Sequence, residues 1–474
     1  MNNIGKPGMS RIGVYIPESR LESHALPPAW NASRIGKRSR SVAYFDEDTV
    51  TMALAAAQDC LREFAEVDAL FFCSTSVPVS GKQVSSLLVE VLGLPSDCRT
   101  LDLTGSSRST TSAVLTGLEL IENGVHQNIL VVASESQMAS VGSYEELNVG
   151  DGAAAVLLSR SEAGLRYLCG YSWNQAYSSS WKPELSPYLQ FDDARFASQQ
   201  SFERAISPTI NSSCAKLDIT CSDIDFIADS PTDVYRKPLA RMLKVPPDVF
   251  VPSTTAKTGY LGSTDPVISL ITVVATGSVG QRILWLNSSN GCDLLLVEVV
   301  SQDFIASCDA ALNPGLSQTE PLQNYADYLN FKGILKTEDA GRYRVFSSSP
   351  MLEREKDILW RLQAKRCTAC EGVITLNVSI CPSCQHRAFE PFPLARTGVV
   401  FSFTNEFYYP SPDISTPMAV IDLEGGGRIL CQVTGRNKSN VKIGSSVALT
   451  FRKIHSDGSH GFYGWKCILL DEPG

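Results

Sequence analysis

Histidine is scarce in this sequence and cysteine is missing from one critical stretch. Only His24, His126, His386, His455 and His460 occur among 474 residues, so residues 127–385 offer no imidazole for acid–base work. No cysteine lies between Cys98 and Cys169, which excludes a thiolate nucleophile there. Long apolar runs are absent too. Nothing approaches the roughly 20 apolar residues of a membrane span, and the start, MNNIGKPGMSRIGVYIP, lacks a signal-peptide core. A cytoplasmic protein without membrane attachment is the expectation. Positive charge is also short. A net charge of −9 argues against a large interface with nucleic acid or anionic lipid and leaves room only for a local basic patch.

Hydrophobic residues make up 43% and charged residues 19%, the balance of a globular chain with a large core, and the length suggests two or three domains. Helical and strand patterns alternate through the first 300 residues. Val50, Leu54, Ala57 and Leu61 fall near helical spacing in Thr49–Phe64, and Ala69–Cys73 reads as a buried strand. Helices follow at 84–92 and 110–121, with strands at 99–103, 129–133 and 152–159. A second half repeats the theme with helices at 202–217, 238–243 and 265–275 and strands at 225–228 and 293–300, which suggests an internal duplication. From Ala306 to Gln323 the composition shifts to Ser, Asn, Pro, Gly and Gln, a linker signature. Met351–Ala364 reads as a charged amphipathic helix. Beyond Gly398, five short apolar segments, 399–403, 418–422, 428–433, 446–451 and 465–470, fit a small barrel. Phe401 and Phe403 alternate, so their shared face is either barrel core or a docking surface. Phe407, Tyr408 and Tyr409 precede Pro410 and Pro412 and read as exposed loop aromatics.

Of the fourteen cysteines, ten are scattered and read as small core hydrophobes; four form Cys367-Thr-Ala-Cys370 and Cys381-Pro-Ser-Cys384. Each CxxC turns tightly enough to present two thiolates to one ion, and the residues between can form a hairpin that brings the pairs together. The reading is a structural zinc site; vestigial or redox-active thiols are the alternative, although the βαβ setting of a redox CxxC is lacking. The flanking Lys365, Arg366, His386 and Arg387 are offset by Glu371 and Glu390, a thin basic patch.

The run RCTACEGVITLNVSICPSCQ, followed by PFPLARTGVVFSFT, PMAVIDLEGGGRILCQVTG, VKIGSSVALTF and FYGWKC, resembles the zinc-ribbon/OB-fold proteins that accompany thiolases and hydroxymethylglutaryl-CoA synthase. Upstream, IGVYIPESRL, DTVTMALAAA, DLTGSSRSTTSAVLTGLELIENG, NILVVASES and VGDGAAAVLLS resemble β-ketoacyl synthase III and hydroxymethylglutaryl-CoA synthase. The resemblance implies a thiolase-like duplicated α/β layered domain over 1–305, a linker over 306–350, a helix and rubredoxin-like zinc ribbon over 351–390, and an all-β OB-fold barrel over 391–474. It also implies coenzyme A thioesters as substrate and a cysteine, histidine and asparagine as catalytic groups. Those positions fall on Ser107, Ser230 and Tyr260, an acidic position falls on Thr75, and Val300-Ser-Gln-Asp303 replaces a glycine-rich loop. The catalytic set is therefore missing. A serine needs an adjacent base to act as nucleophile, and Ser106, Ser107 and Ser109 also read as helix-capping residues. Glu145, Glu146 and Asp151 read as loop and turn residues.

The resulting expectation is a non-catalytic subunit of a multi-subunit thiolase-type acyltransferase, a homo- or hetero-oligomer whose partner supplies the nucleophilic cysteine. Two competitors stand beside it: a self-sufficient condensing enzyme using Ser107, and a zinc-ribbon/OB module that binds protein or nucleic acid.

Overall fold

The computed structural model describes residues 6–27, 37–62, 64, 66–161, 163–217, 224–230, 235–335, 348–407, 409, 415–456 and 461–470. Its contacts form two compact units. One comprises Met1–Ala43, Asp48–Val89 and Leu94–Leu329; the other comprises Tyr44–Glu47, Glu90–Gly93 and Asn330–Gly474.

The first unit runs β1 (Gly8–Tyr15), α1 (Thr49–Leu61), β2 (Ala69–Ser74), α2 (Val84–Leu92), β3 (Arg99–Thr104), α3 (Ser109–Glu122), β4 (Asn128–Ser136), β5 (Asp151–Ser159) and β6 (Leu165–Asn174). It continues with α4 (Ser207–Leu217), β7 (Phe226–Ser230), α5 (Arg236–Leu243), α6 (Asp265–Ala275), β8 (Arg282–Ser288), β9 (Gly291–Val299) and α7 (Gln302–Ser317). Local chemistry sets the boundaries. Asp48 caps α1 by accepting from the Val50 and Thr51 amides, while the Thr51 hydroxyl bonds back to the Asp48 amide. The strands at 129–133 and 294–297 are apolar without alternation because both faces of the sheet are covered.

Nine strands form one sheet in the order β7-β8-β9-β6-β1-β5-β4-β2-β3. In one half, β1 runs antiparallel to β5, β5 antiparallel to β4, and β4 parallel to β2. In the other, β6 runs antiparallel to β9, β9 antiparallel to β8, and β8 parallel to β7. The halves join where Gly8 and Met9 of β1 pair with Arg166 and Leu165 of β6. This is the duplication the sequence suggested. It also makes α3 and α6 counterparts, since each precedes the strand parallel to β2 or β7.

Ala306–Gln323 is not a linker. It lies largely in α7, whose Phe304, Ile305, Cys308 and Leu312 are buried on one face. Gly315 lies against Ile16, where a Cβ would come within 2.7 Å of the Ile16 Cβ. The small and polar residues that suggested a linker occupy the outward face or a close approach. A further short helix spans Tyr325–Phe331, so the supposed 306–350 linker is substantially helical; residues 336–347 of it lie outside the described set. The helix expected from Phe202 opens with a π-helical turn, Phe202–Ile206, before α4 begins.

The second unit contains α8 (Ser349–Leu359), then β10 (Gln363–Cys367), β11 (Val373–Ile374) and β12 (Phe389–Pro393), with β10 pairing both others. The helix expected to reach Ala364 stops at Leu359, and Ala364 belongs to β10. Five strands follow: β13 (Thr397–Glu406), β14 (Thr416–Leu423), β15 (Arg428–Gln432), β16 (Ser446–Ser456) and β17 (Gly461–Leu469). They run in the order β15-β14-β13-β16-β17, and a bridge from Val433 to Cys467 links the outermost strands. Val400, Ala419, Ile421, Val433, Val447, Leu449 and Phe451 fill the barrel. Also in this unit, buried Asp46 pairs with Lys466 at 2.8 Å and accepts from Thr434 at 2.7 Å, while Arg452 pairs with Glu47 at 2.8 Å. Among the described residues no helix is long and apolar enough to cross a membrane.

Candidate active site and metal centre

Three distant segments of the first unit meet at one phenol. Ser107 immediately precedes the Arg108 cap of α3, Ser230 ends β7, and Tyr260 lies between Gly259 and α6. Ser107 and Ser230 both lower the Tyr260 pKa, which places the two serines beside the phenol. Ser230 Oγ donates to Asp265 Oδ2 at 2.8 Å. Burial, then the charge of Asp265, raise the Tyr260 pKa, so the phenol stays protonated and is no general base at neutral pH.

The backbone around this junction is tightly held. The Tyr260 amide donates to Asn148 O at 2.7 Å, and the Gly150 amide donates to Tyr260 O at 3.0 Å. Gly259 has φ +74°, and a Cβ there would sit 2.6 Å from the Val149 carbonyl carbon, so glycine is required. Asp151 is not a turn residue but the buried first residue of β5, where its carboxylate accepts from the Ala43 amide at 2.7 Å and lies 3.5 Å from Arg40. Beneath α3, Asn287 donates to the Ser107 carbonyl at 3.2 Å, and buried Asp293 accepts from Thr111, Ser112 and Ser172 at 2.7–2.8 Å.

Sequence reasoning missed Glu135. Its buried carboxylate, on β4, accepts from the Thr75 amide (2.8 Å) and hydroxyl (3.0 Å), Ser76 Oγ (2.5 Å), and the Ser263 amide (3.1 Å) and hydroxyl (2.7 Å). Burial raises its pKa against these donors. The available signal was an acid inside an apolar strand, NILVVASES, which has to be satisfied internally. Thr75, the residue at the family's acidic position, thus touches a carboxyl that comes from the adjacent strand. Glu146 is also structural: it accepts from Tyr325 at 2.6 Å and from the Gly142 amide at 3.1 Å. Glu145 accepts from Asn148 at 3.0 Å. At Val300-Ser-Gln-Asp303 the Ser301 hydroxyl caps α7 by accepting from the Phe304 amide.

In the second unit, the sulfurs of Cys367, Cys370, Cys381 and Cys384 all lie within 4.8 Å of one another. Both turns have the same construction. Glu371 (φ 57°) donates its amide to Cys367 O, and Gln385 (φ 61°) donates to Cys381 O, each at 2.9 Å. Amides of Ala369 and Cys370 lower the Cys367 pKa. Amides of Cys384 and Ser383 bring Cys381 down to about 6. Amides aimed at sulfur favour thiolates, so the four residues fit a tetrahedral thiophilic ion. The basic flank is engaged locally: Arg366 stacks on Phe392 at 4.0 Å, and Lys365 donates to Asn377 at 2.8 Å.

The 3-oxoacyl-[acyl-carrier-protein] synthase III family model matches residues 101–174, and the model of the ChsH2 C-terminal OB-fold domain matches residues 392–452. Hydroxymethylglutaryl-CoA synthase of Thermococcus onnurineus is 24% identical over 309 residues, covering 63% of this chain and 87% of that protein. The Pyrococcus furiosus enzyme is 23% identical over 64% of this chain and 90% of its own length. A crystal structure of hydroxymethylglutaryl-CoA synthase complexed with CoA superposes with a TM-score of 0.61 at 17% identity, covering 73% of this chain and 96% of the other. Synthase III from Pseudomonas aeruginosa gives 0.55 at 18% identity, covering 63% and 99%. The first unit has a thiolase-like fold and is similar in sequence to hydroxymethylglutaryl-CoA synthase and synthase III, and an OB-fold domain follows it. Within this thiolase-like domain, the residues assigned by resemblance to the cysteine, histidine and asparagine positions do meet, but they are two serines and a tyrosine.

The OB-fold aromatics resolve differently from one another. Phe401 and Phe403 are 52% and 37% exposed, but they do not share a regular face: the register shifts between Val400 and Ser402, which leaves Phe401 unpaired in the ladder, and Phe403 pairs with buried Ala419. The Arg428 guanidinium lies 3.7 Å from the Phe401 ring centroid. Phe407 is exposed, whereas the Tyr409 hydroxyl donates to Ile454 O at 2.7 Å; Tyr408, Pro410 and Pro412 lie outside the described residues.

Proposed function

We propose that this chain is a subunit of a thiolase-type acyltransferase assembly acting on coenzyme A thioesters. Its thiolase-like unit is a scaffold, and a separately encoded partner supplies the nucleophilic cysteine. The observation that carries the reading is what stands at the positions assigned by resemblance to the family's cysteine, histidine and asparagine: Ser107, Ser230 and Tyr260 offer hydroxyls, with neither thiol nor imidazole to make a nucleophile. Arg236, Lys237, Arg241 and Lys244 line a cavity of about 530 Å³ beside Phe250, a charge pattern suited to the phosphates of coenzyme A. The four cysteines hold a structural zinc, and the OB-fold barrel docks the partner through the outward aromatic face of β13.

Two measurements test this. Intact-mass spectrometry after incubation with acyl-CoAs should show no covalent adduct on the isolated chain. Co-expression with a cysteine-bearing thiolase from the same host should give one co-eluting complex, active only when both chains are present. A second reading has Ser107 itself accept the acyl group, favoured by its place at the N-terminal end of α3; an acyl adduct mapped to Ser107 would install that reading in place of the first.

A further inference from the structure

We propose that the cysteine cluster governs the partner-docking surface of the barrel, through the Gly425-Gly426-Gly427 turn and Arg428. The proposal rests on the docking reading above and adds a regulation to it: the surface is presented to the partner only while the four sulfurs are held together.

The path lies wholly within the second unit. It starts in the ribbon, where Ile374 of β11 packs with buried Cys367 and Cys381, and Val378 and Phe389 lie against them. Five side chains are too few to hold such a hairpin without an ion. Successive strand residues point to opposite faces, so Val373 and Thr375, on either side of Ile374, face away from the sulfurs. They meet the turn between β14 and β15. A Cβ on Gly426 would come within 3.3 Å of Val373 Cγ2, and one on Gly427 within 3.4 Å of Val373 Cγ1 and 3.6 Å of Thr375 Cγ2. The Thr375 hydroxyl donates to Arg428 O at 2.9 Å. The turn has little rigidity of its own. Gly425, Gly426 and Gly427 all take positive φ, at 74°, 113° and 95°, and glycine loses more backbone freedom on ordering than any other residue.

Arg428 carries the effect to the surface. Its guanidinium pairs with Asp422 at 2.5 and 2.9 Å and lies 3.7 Å from the Phe401 ring centroid. Phe401 is the residue that the register shift leaves out of the ladder, so strand pairing does not direct its ring and the cation–π contact with Arg428 does. Loss of the Thr375 bond frees the Arg428 backbone, and with it the group on which Phe401 rests.

The test compares the full-length protein as purified, the same protein stripped with a strong chelator, and Thr375→Val. The substitution keeps all four cysteines and the side-chain shape and removes the hydroxyl alone. Hydrogen exchange is followed at the amides of Leu423 and Gly426, which donate to Gly427 O and Leu423 O across the turn. Chelation should speed exchange there. Thr375→Val should do so by about fivefold, the ratio set by one hydrogen bond, with its metal content and the protection of β10–β12 and β16–β17 unchanged. Thr375→Ser, which keeps the hydroxyl, should behave as the unsubstituted protein. If Thr375→Val releases metal, Val373→Ala, which uncovers Gly426 and Gly427, takes its place under the same criteria. Affinity for the co-expressed cysteine-bearing thiolase should fall at least about threefold in the chelated protein and in Thr375→Val. Turn exchange that is the same in all samples overturns the relay and leaves the docking reading standing. A loosened turn with unchanged affinity overturns the docking reading, and the regulation with it.

Discussion

The thiolase-like site and the cysteine cluster are built in the same way and have kept opposite things. The first draws on residues far apart in sequence and the second on a single segment, 367–384, but both use backbone hydrogen bonds and residues of positive φ: Gly259 in one, Glu371 and Gln385 in the other. In the second unit every chemically competent side chain remains, four sulfurs within 4.8 Å. In the first, the positions assigned by resemblance to cysteine, histidine and asparagine carry Ser107, Ser230 and Tyr260. A metal cluster contributes directly to folding, so losing one ligand costs stability. A nucleophile contributes to turnover alone, so its position can drift to serine while the surrounding fold persists. The contrast predicts where each unit is fragile.

The largest effect should follow removal of the ion. One zinc per chain is expected by elemental analysis, and structural zinc in comparable sites is worth on the order of 10 kcal/mol in apparent free energy. Cys381→Ser, or a strong chelator, should abolish hydrogen-exchange protection in β10–β12 and weaken it in the barrel, with the nine-stranded sheet unaffected. Freshly purified protein without any thiophilic metal would break the comparison at its stronger end.

Next come the buried acids, which differ in sign. Burial disfavours the charged Asp46, but Lys466 and Arg452 hold its pKa below the ordinary value. Its folded value is depressed, so its contribution is present above the unfolded value of about 4 and is lost as pH falls through the folded value. Glu135 is the reverse: burial raises it, so its contribution is greatest below about pH 4.3 and is lost as pH rises toward its folded value. Acidification from pH 6 to 3, followed by hydrogen exchange, should therefore loosen the barrel near Lys466 before β4. Asp46→Ala leaves Lys466 buried without its carboxylate, at a cost of about 3–5 kcal/mol. A thermal midpoint unchanged by that substitution would contradict the assignment.

A smaller effect is expected at the hydroxyl junction. Ser107→Ala removes a hydroxyl beside Tyr260, should change stability by no more than about 1 kcal/mol, and should leave the activity of the assembled complex unchanged. A large loss of turnover with little change in stability would favour Ser107 as nucleophile.

How far the sequence alone reached follows from this division. The five barrel strands and the CxxC pairs were legible because spacing encodes them. The loss of the cysteine and histidine was legible as a plain absence. The convergence of Ser107, Ser230 and Tyr260 needed a resemblance, since nothing local connects residues 153 positions apart. Helix α7 was misread because its buried stripe, Phe304, Ile305, Cys308 and Leu312, is narrow and its outward face is rich in small polar residues. Glu135 was hidden in an apolar strand whose neighbours supply all of its donors. Phe401 and Phe403 show the limit of alternation: a register shift between Val400 and Ser402 breaks the period of two that the shared face assumed, and both rings are left exposed.

The exposed surface of β13 yields the smallest expected change in stability and the sharpest separation of stability from binding. On β13, Val399, Phe401 and Phe403 are exposed and Val400 is buried; on β15, Leu430 is 65% exposed. Val420 of β14 pairs with Leu430 on one side and Ser402 on the other, so the exposed residues lie on the two strands that flank β14. Truncating exposed side chains removes little buried area, so Phe401→Ala and Leu430→Ala should each shift stability by no more than about 0.5 kcal/mol. Val400→Ala, on the inward face of the same strand, should cost about 1–3 kcal/mol. Binding should rank them the other way. Aromatic residues at the centre of an interface commonly contribute more than about 1 kcal/mol each, roughly a fivefold or greater loss in affinity. Phe401→Ala should therefore weaken the complex with the catalytic partner in titration calorimetry, while Val400→Ala should leave the affinity of the folded protein nearly unchanged. If Phe401→Ala lowers stability as much as Val400→Ala and spares binding, the aromatic face serves the barrel itself and the partner docks elsewhere.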